Sequence, residues 1–294
     1  MKKSASRIAF EIFNVVFMIV LCAVMLYPFI FTFSASVSNS AQVAAGNVKL
    51  LPKGFNLESY KTVLGYQKVW VAYGNTIIYT VVGTAVSLAL TICGAYPLSR
   101  SDFYGKGVFV FFITLTMIFS GGLIPTFLVV RGIHLYNSMW AVILPGALST
   151  MNMIIMRTFF QGIPDALEEA ATIDGCSDFQ ILVKIILPLS TASLMTIGMF
   201  YAVGYWNSWF PALIYLRDAE KYPLQLVLRQ IVLQNQINDL ISQQSGTTIE
   251  DTTKMVSETV KYAVVMVATI PILCVYPFVQ KYFVKGALVG SIKG

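Results

Sequence analysis

The chain has 294 residues, 56% of them hydrophobic and only 12% charged, with a mean hydropathy of +0.71. Soluble domains carry roughly 25% charged residues, so about half the usual charge is missing, which argues against a water-soluble fold. The formal net charge of +6 is scattered in ones and twos through the polar stretches rather than gathered on one face, which speaks against nucleic acid and for membrane flanks. Cys22, Cys93, Cys176 and Cys274 show no close pairing, and His134 is the single histidine, so neither a disulfide framework nor a metal site follows. His134 reads as a structural or interfacial residue.

A helix needs about 20 apolar residues to cross about 30 Å of hydrocarbon. Residues 1–10 form a basic start with Lys2, Lys3 and Arg7, and the apolar run at 11–33 is longer than the roughly 7 to 15 residues of a secretory signal core, so it reads as an uncleaved first span. The polar stretch at 34–70, with Asn39, Lys49, Pro52, Lys53 and Gly54, reads as a loop. The second span, 71–98, carries Gly74, Gly83, Ala85, Ser87, Ala89, Gly94 and Ala95, small residues that permit close helix approach. A third span at 107–130 contains Gly121, Gly122 and Pro125, read as a kink, and a fourth covers 136–156.

Residues 157–189 break the pattern, because Arg157, Asp165, Glu168, Glu169, Asp174, Asp178 and Lys184 appear among apolar residues at helical spacing. A fifth span at 190–216, a polar stretch at 217–258, a sixth span at 259–283 and a tail at 284–294 complete an all-α, polytopic membrane protein with six transmembrane helices. The positive-inside rule does not orient it, since the 20 Lys and Arg divide evenly between the two sides that six spans define.

Within 157–189 the string IPDALEEAATIDG predicts a short helix with Pro164 in its first turn, Asp165, Glu168 and Glu169 at the positive end of its dipole, and Gly175 as its stop. Leu167, Ala170 and Ala171 give it one thin apolar face. Ser177 and Gln180 form a capping box that opens a second helix through Phe179, Leu182, Val183 and Ile186, ending at Pro188. Helices that lie flat on lipid carry basic polar faces and large apolar anchors, whereas this segment is acidic and rich in alanine, which suits a groove on a partner protein.

The string EEAATIDGCSDFQILVKIILPL resembles the EAA loop of ABC importer permeases, with Glu169, Ala170, Ala171, Gly175, Ile185, Leu187 and Pro188 at the pattern's positions. The strings FSGGLIPTFLVV, IIMRTFFQGIPDALEEAATIDG, FYAVGYWNSWFPALIYLRD and QKYFVKGALVGSIKG extend the likeness over most of the chain, toward the maltose-type carbohydrate branch and its permeases for complex oligosaccharides or polysaccharides. The resemblance implies a type I ABC importer permease fold in a bacterial inner membrane. It also implies a second homologous permease subunit, two ATPase subunits that hold ATP and magnesium, and an extracytoplasmic solute-binding protein, with no cofactor and no catalytic residue in this chain. Glu169 would be the polar contact to the ATPase, Ala170 and Ala171 the close-packed face and Gly175 the corner, which makes the EAA loop and both termini cytoplasmic. Where such chains continue after the I-x-L-P string with a basic residue and a second proline, this one has Ser190, Thr191 and Ala192, which predicts a less constrained entry into the fifth span.

The spans hold almost no ionisable residue away from their ends, so the energy source is expected outside this chain; a secondary carrier or channel acting without an ATPase, the alternative reading, would carry intramembrane charge and an inverted repeat. An anionic sugar would find no fixed counter-charge at mid-membrane from this subunit. The aromatic and amide cluster Tyr201, Tyr205, Trp206 and Asn207 suits sugar rings and hydroxyls, and equally suits an interfacial belt, the reading preferred for Trp209 and Phe210. Asn152 is a further candidate for the substrate path, or a helix-to-helix hydrogen bond. The segment at 222–254 alternates apolar and amide residues, and reads either as a contact for the binding protein or as a structural cap.

Overall fold

The computed structural model describes residues 5–233, 259–275, 277 and 280, and every regular element among them is helical. They fall into two compact units, one within Met1–Val69 and Leu228–Ile270, the other within Trp70–Val227 and Pro271–Gly294.

In the first unit, α1 (Ala5–Ser36) is apolar and exposed along almost its whole length, as a helix solvated by lipid must be. Beyond it, α2 (Ser40–Ala44) and α3 (Glu58–Gly65) sit in a loop that folds on its own hydroxyls. Ser34 donates to Leu50 O at 2.6 Å, Ser38 accepts from the Lys53 amide at 3.0 Å, and Ser59 donates to Thr259 Oγ1 at 2.6 Å. These serines are buried, so their side chains supply partners that water cannot.

α4 (Gln67–Ser99) continues the chain with 33 residues and, with α1, is one of two described helices long and apolar enough to cross a membrane alone. Three further spans arise only if bent helix pairs are taken as single crossings: α5 (Lys106–Ile118) with α6 (Leu123–Gly132), α7 (Met139–Gly146) with α8 (Thr150–Phe160), and, after the short helix α9 (Ala166–Ile173), α10 (Asp178–Leu189) with α11 (Thr191–Trp206). Among the described residues, length and composition therefore give two clear spans and up to five, where hydropathy leads to an expectation of six for the full chain. α12 (Phe210–Tyr215), α13 (Leu224–Leu233) and α14 (Thr259–Val275) follow. The sixth expected span falls on α14 and runs on into residues that are only partly described, and most of the amide-rich stretch at 222–254, together with the tail at 284–294, lies outside the described residues.

Two corners differ from expectation. The chain turns by 114° between α5 and α6, far beyond a kink. Gly122 makes the turn with φ 83° and ψ 174°, a conformation open to glycine, and Pro125 then falls within the first turn of α6, where its missing N–H costs no helical bond. Between α10 and α11 the chain turns by 84°, and the expected looseness after Leu189 is not found. Local hydrogen bonds hold the corner instead: the Ser190 amide donates to Ile186 O at 3.0 Å, the Thr191 hydroxyl to Pro188 O at 2.7 Å, and the Ser193 hydroxyl to Ser190 O at 2.8 Å.

The core of the second unit joins α4, α8, α10 and α11. A hydroxyl stripe on α4 meets two tyrosines of α11: Ser87 lies 2.9 Å from the Tyr205 hydroxyl and Thr91 lies 2.7 Å from that of Tyr201. Tyr205 also donates to Ile143 O at 3.2 Å, and the Ser149 amide donates to Tyr201 at 3.1 Å, so both rings are fixed from two sides. Glycine makes the approach possible, because a Cβ on Gly83 would lie 2.7 Å from the Tyr205 ring and one on Gly94 would lie 2.8 Å from Met153 Sδ. Gly83→Ala is expected to lower the stability of the purified protein by about 1–3 kcal/mol, read as an earlier thermal unfolding transition in detergent, because the clamped ring cannot step aside.

Candidate functional site

α9 begins after Asp165, with Glu168 and Glu169 in its first turn, where carboxylates meet the positive end of the helix. Pro164 therefore precedes the helix rather than opening it. Its far end closes as a Schellman turn: the Cys176 amide donates to Ala171 O and the Gly175 amide donates to Thr172 O, both at 3.0 Å, with Gly175 at φ 81°. α10 follows at once, and Gln180 Oε1 accepts from the Ser177 amide at 2.9 Å, one arm of the expected capping box. Within α10 the turn Leu182–Ile186 is a π-helix, directly ahead of Pro188. Proline lacks an N–H and crowds the carbonyl four residues back, and a wider turn relieves both, so the helix passes through Pro188 and ends one residue later.

The EAA residues divide by the side they face. Ala171 is 6% exposed and packs into a cluster with Leu98, Met156, Phe160, Ile181 and Ile186, and Ile185 and Leu187 lie against the same cluster. Glu169, Ala170, Gly175 and Pro188 stay exposed. They share the surface with Ile173, 86% exposed, and Phe179, 73% exposed. Of the two alanines expected on one close-packed face, Ala171 is buried in this chain's own core and Ala170, about 100° around the helix, is exposed.

Beside this segment opens a cleft of about 1150 Å³, lined on one side by Cys93, Tyr96 and Pro97 of α4 and on the other by Glu168, Glu169 and Thr172 of α9. Arg100, Asp102, Asp165 and Asp178 add charge to its walls. Glu168 and Arg100 form an ion pair whose side chains are 16% and 13% exposed. Burial pulls the Arg100 guanidinium below the ordinary arginine value, and the neighbouring Tyr96, Asp165 and Asp102 pull it back up. Sequence reasoning counted Arg100 and Arg157 as membrane flanks and missed this role, since their partners lie 59 to 68 residues away in the chain.

At the other end of α4 a second polar junction gathers around Asn137, which adopts φ 61°, a conformation asparagine tolerates. Its Oδ1 accepts the Arg217 and Asp218 amides at 3.0 and 3.1 Å, its Nδ2 donates to Asp218 at 2.8 Å, and its carbonyl accepts from Lys221 Nζ at 2.9 Å. The Asn75 amide donates to Glu220 O at 2.6 Å and the Tyr79 hydroxyl to Lys221 O at 2.7 Å, which ties the turn after α12 to α4. Of the aromatic cluster, Tyr201 and Tyr205 are buried, Trp206 is half-buried against Tyr73 with ring centroids 6.4 Å apart, and Asn207 is exposed. Asn152 is buried on α8.

Residues 88–288 match the model of the binding-protein-dependent transport system inner membrane components, a span that includes every EAA position. The chain belongs to this family. It is therefore the translocation component of an ABC importer, an inner-membrane protein working with an ATPase and a solute-binding protein, and ATP hydrolysis lies in partner subunits. Among its relatives, the polygalacturonan/rhamnogalacturonan transport system permease protein YtcP of Bacillus subtilis is 44% identical over 280 residues, 95% of this chain and 96% of that one. Protein LplC of the same organism is 41% identical over 97% of this chain and 95% of its own. The crystal structure of a bacterial ABC transporter involved in the import of the acidic polysaccharide alginate contains a similar chain, with a TM-score of 0.84 and 37% identity, covering 96% of this chain and 99% of that one.

In this permease the Asn137 junction titrates. Hydrogen bonds from Lys221 and then Asn137 hold the Asp218 carboxyl below its ordinary value. A lowered carboxyl pKa contributes stability above the unfolded value, and that contribution is lost as pH falls through the folded value. Wild type is expected to melt above Asp218→Asn at neutral pH, with the gap closing below about pH 4, as followed by thermal unfolding across pH.

Proposed function

We propose that this chain is one of two homologous permease subunits in an importer for oligosaccharide or polysaccharide fragments, coupled through its EAA segment to two ATPase subunits. The observation that carries this reading is the mounting of that segment. Ala171, Ile181 and Ile186 anchor it in the subunit's own core, while Glu169, Ala170, Ile173 and Phe179 form an exposed acidic and apolar surface outside that core among the described residues. Glu169 is the polar contact to the ATPase cleft, Ala170 allows close approach, and Gly175 sets the corner that holds α9 and α10 at their angle. Ala171, Ile185, Leu187 and Pro188 carry the displacement inward toward α11. In this orientation the EAA segment and both termini are cytoplasmic, and the Asn137 junction faces outward.

The substrate class we favour is acidic. The relatives named above include transporters named for polygalacturonan, rhamnogalacturonan and alginate, all rich in carboxylates. This subunit supplies neutral groups to such a substrate, with Trp206 as a stacking platform and Asn207 as the amide beside it. Tyr201, Tyr205 and Asn152 set the packing of the helices that carry those two. Counter-charge comes from the partner permease or the binding protein. A carrier working without an ATPase is not favoured, because the described spans hold almost no charged residue away from their ends.

Gly175→Val tests the coupling. A β-branched residue at φ 81° is strained, by about 1–3 kcal/mol. Sugar-stimulated ATP hydrolysis and uptake by the reconstituted importer should fall to background, with the chain still in the membrane; undiminished uptake sinks the reading. Separately, the wild-type importer with its binding protein should take up oligogalacturonate and leave neutral maltooligosaccharides outside. The reverse preference would overturn the acidic assignment and leave the coupling intact.

A further inference from the structure

Helices that end near a membrane leave their last carbonyls without intrahelical partners, and those carbonyls must be satisfied by side chains where water is scarce. Two such ends meet in the second unit, and each is capped by the arginine of the other. Arg157, in the last turn of α8, donates from Nε to Leu98 O at 2.8 Å, near the end of α4. Arg100, the residue after α4, donates from Nη2 to Phe160 O at 3.3 Å, the end of α8. Arg100 then spends its remaining donors locally and on α9: Nε on Ser99 Oγ at 2.9 Å and Nη1 on Glu168. Its guanidinium carbon lies 5.1 Å from the centre of the Tyr96 ring, which itself packs edge-on against Phe160 at 6.3 Å. Lys106 Nζ donates to Arg100 O at 2.8 Å and fastens the start of α5 to the same point.

We propose that Arg100 is a positioning residue for coupling, one that joins α9 through Glu168 to the ends of α4 and α8, so that a displacement of the EAA segment reaches the span formed by α4. Covalent connection carries motion only from α9 back to α8 and from α10 on to α11. α4 is remote in sequence and receives motion through side chains alone. The Arg100 fork is suited to this task, because its planar donors hold two elements at fixed angles where a lysine would hold one. Glu168 is distinct from Glu169 in this scheme: the former faces inward to Arg100, and the latter stays exposed.

The inference rests on the coupling function proposed above, and the experiment separates the two. The complete importer is reconstituted in vesicles with Arg100→Gln, Glu168→Gln or Arg100→Lys, and ATP hydrolysed per sugar imported is measured beside wild type. Both glutamine variants should raise that ratio by about tenfold, the size expected for losing a buried charge-assisted bond, and Arg100→Lys, which can still reach Glu168, should recover part of the loss. Should Arg100→Gln fail to assemble, Glu168→Gln decides, since it is nearly isosteric and leaves both carbonyl caps in place. A wild-type ratio in Glu168→Gln overturns the proposal while leaving the EAA segment's role standing. A wild-type importer whose ATP hydrolysis does not respond to sugar would instead sink the coupling function itself, and this inference with it.

Discussion

The carbonyls that end α4 and α8, each reached by an arginine from the other helix, are the constraint around which the EAA side of the second unit is organised. Both helices stop without the left-handed glycine turn that closes α9. Arginine adds a donor in each direction, Arg157 to Leu98 O and Arg100 to Phe160 O, which also accepts from the Ile163 amide at 3.2 Å. Because a guanidinium carries five donors, capping one end leaves enough to hold a carboxylate as well, and Glu168 of α9 takes that place. A polar requirement of two helix ends thus also fixes the position of the short helix next to them.

The apolar side of the same arrangement is a single cluster in which Phe160, Met156 and Ile186 are fully buried and Ala171 fills the space left beside them. An EAA segment mounted this way is held to α4 and α8 rather than hanging as a free loop, since shifting α9 alone would open that cluster and break a part-buried ion pair. Farther along α4 the contact to α11 changes character, from apolar packing to hydroxyl pairs between Ser87 and Tyr205 and between Thr91 and Tyr201. Such pairs are directional and hold helix rotation more firmly than apolar contact does. The opposite end is held by the Asn75 amide and the Tyr79 hydroxyl, which donate to Glu220 O and Lys221 O. α4 is therefore tied near both ends and along its length, while its neighbours carry the sharp corners, the 114° turn after α5 and the 84° turn after α10.

Much of the EAA segment was legible in the sequence, because its signals are local. Gly175 three residues beyond Thr172 closes a helix in any context, and Ser177 with Gln180 opens one. The apolar runs likewise announced their helices. What local pattern could not give was direction and partner. Gly121 and Gly122 show that the helix weakens there, but the angle depends on the φ that Gly122 takes up. Ala170 and Ala171 are chemically the same, and only the packing of α9 decides which is buried. Arg100 looked like a flank because its partner, Glu168, is 68 residues on. Tyr201 and Tyr205 suited sugar or an interfacial belt, and packing against α4 was not legible because their hydroxyls meet partners more than a hundred residues earlier in the chain.

The split between Ala170 and Ala171 gives the most direct test of how the EAA segment meets its partner. Single cysteines at the two positions in the assembled importer, each probed with a short thiol-directed photocrosslinker, report which side of α9 the ATPase touches. Crosslinking to the ATPase from position 170 and none from position 171 is the predicted result. Crosslinking from 171 in place of 170 would contradict the account, because it would place the face that is buried in this structure against the partner.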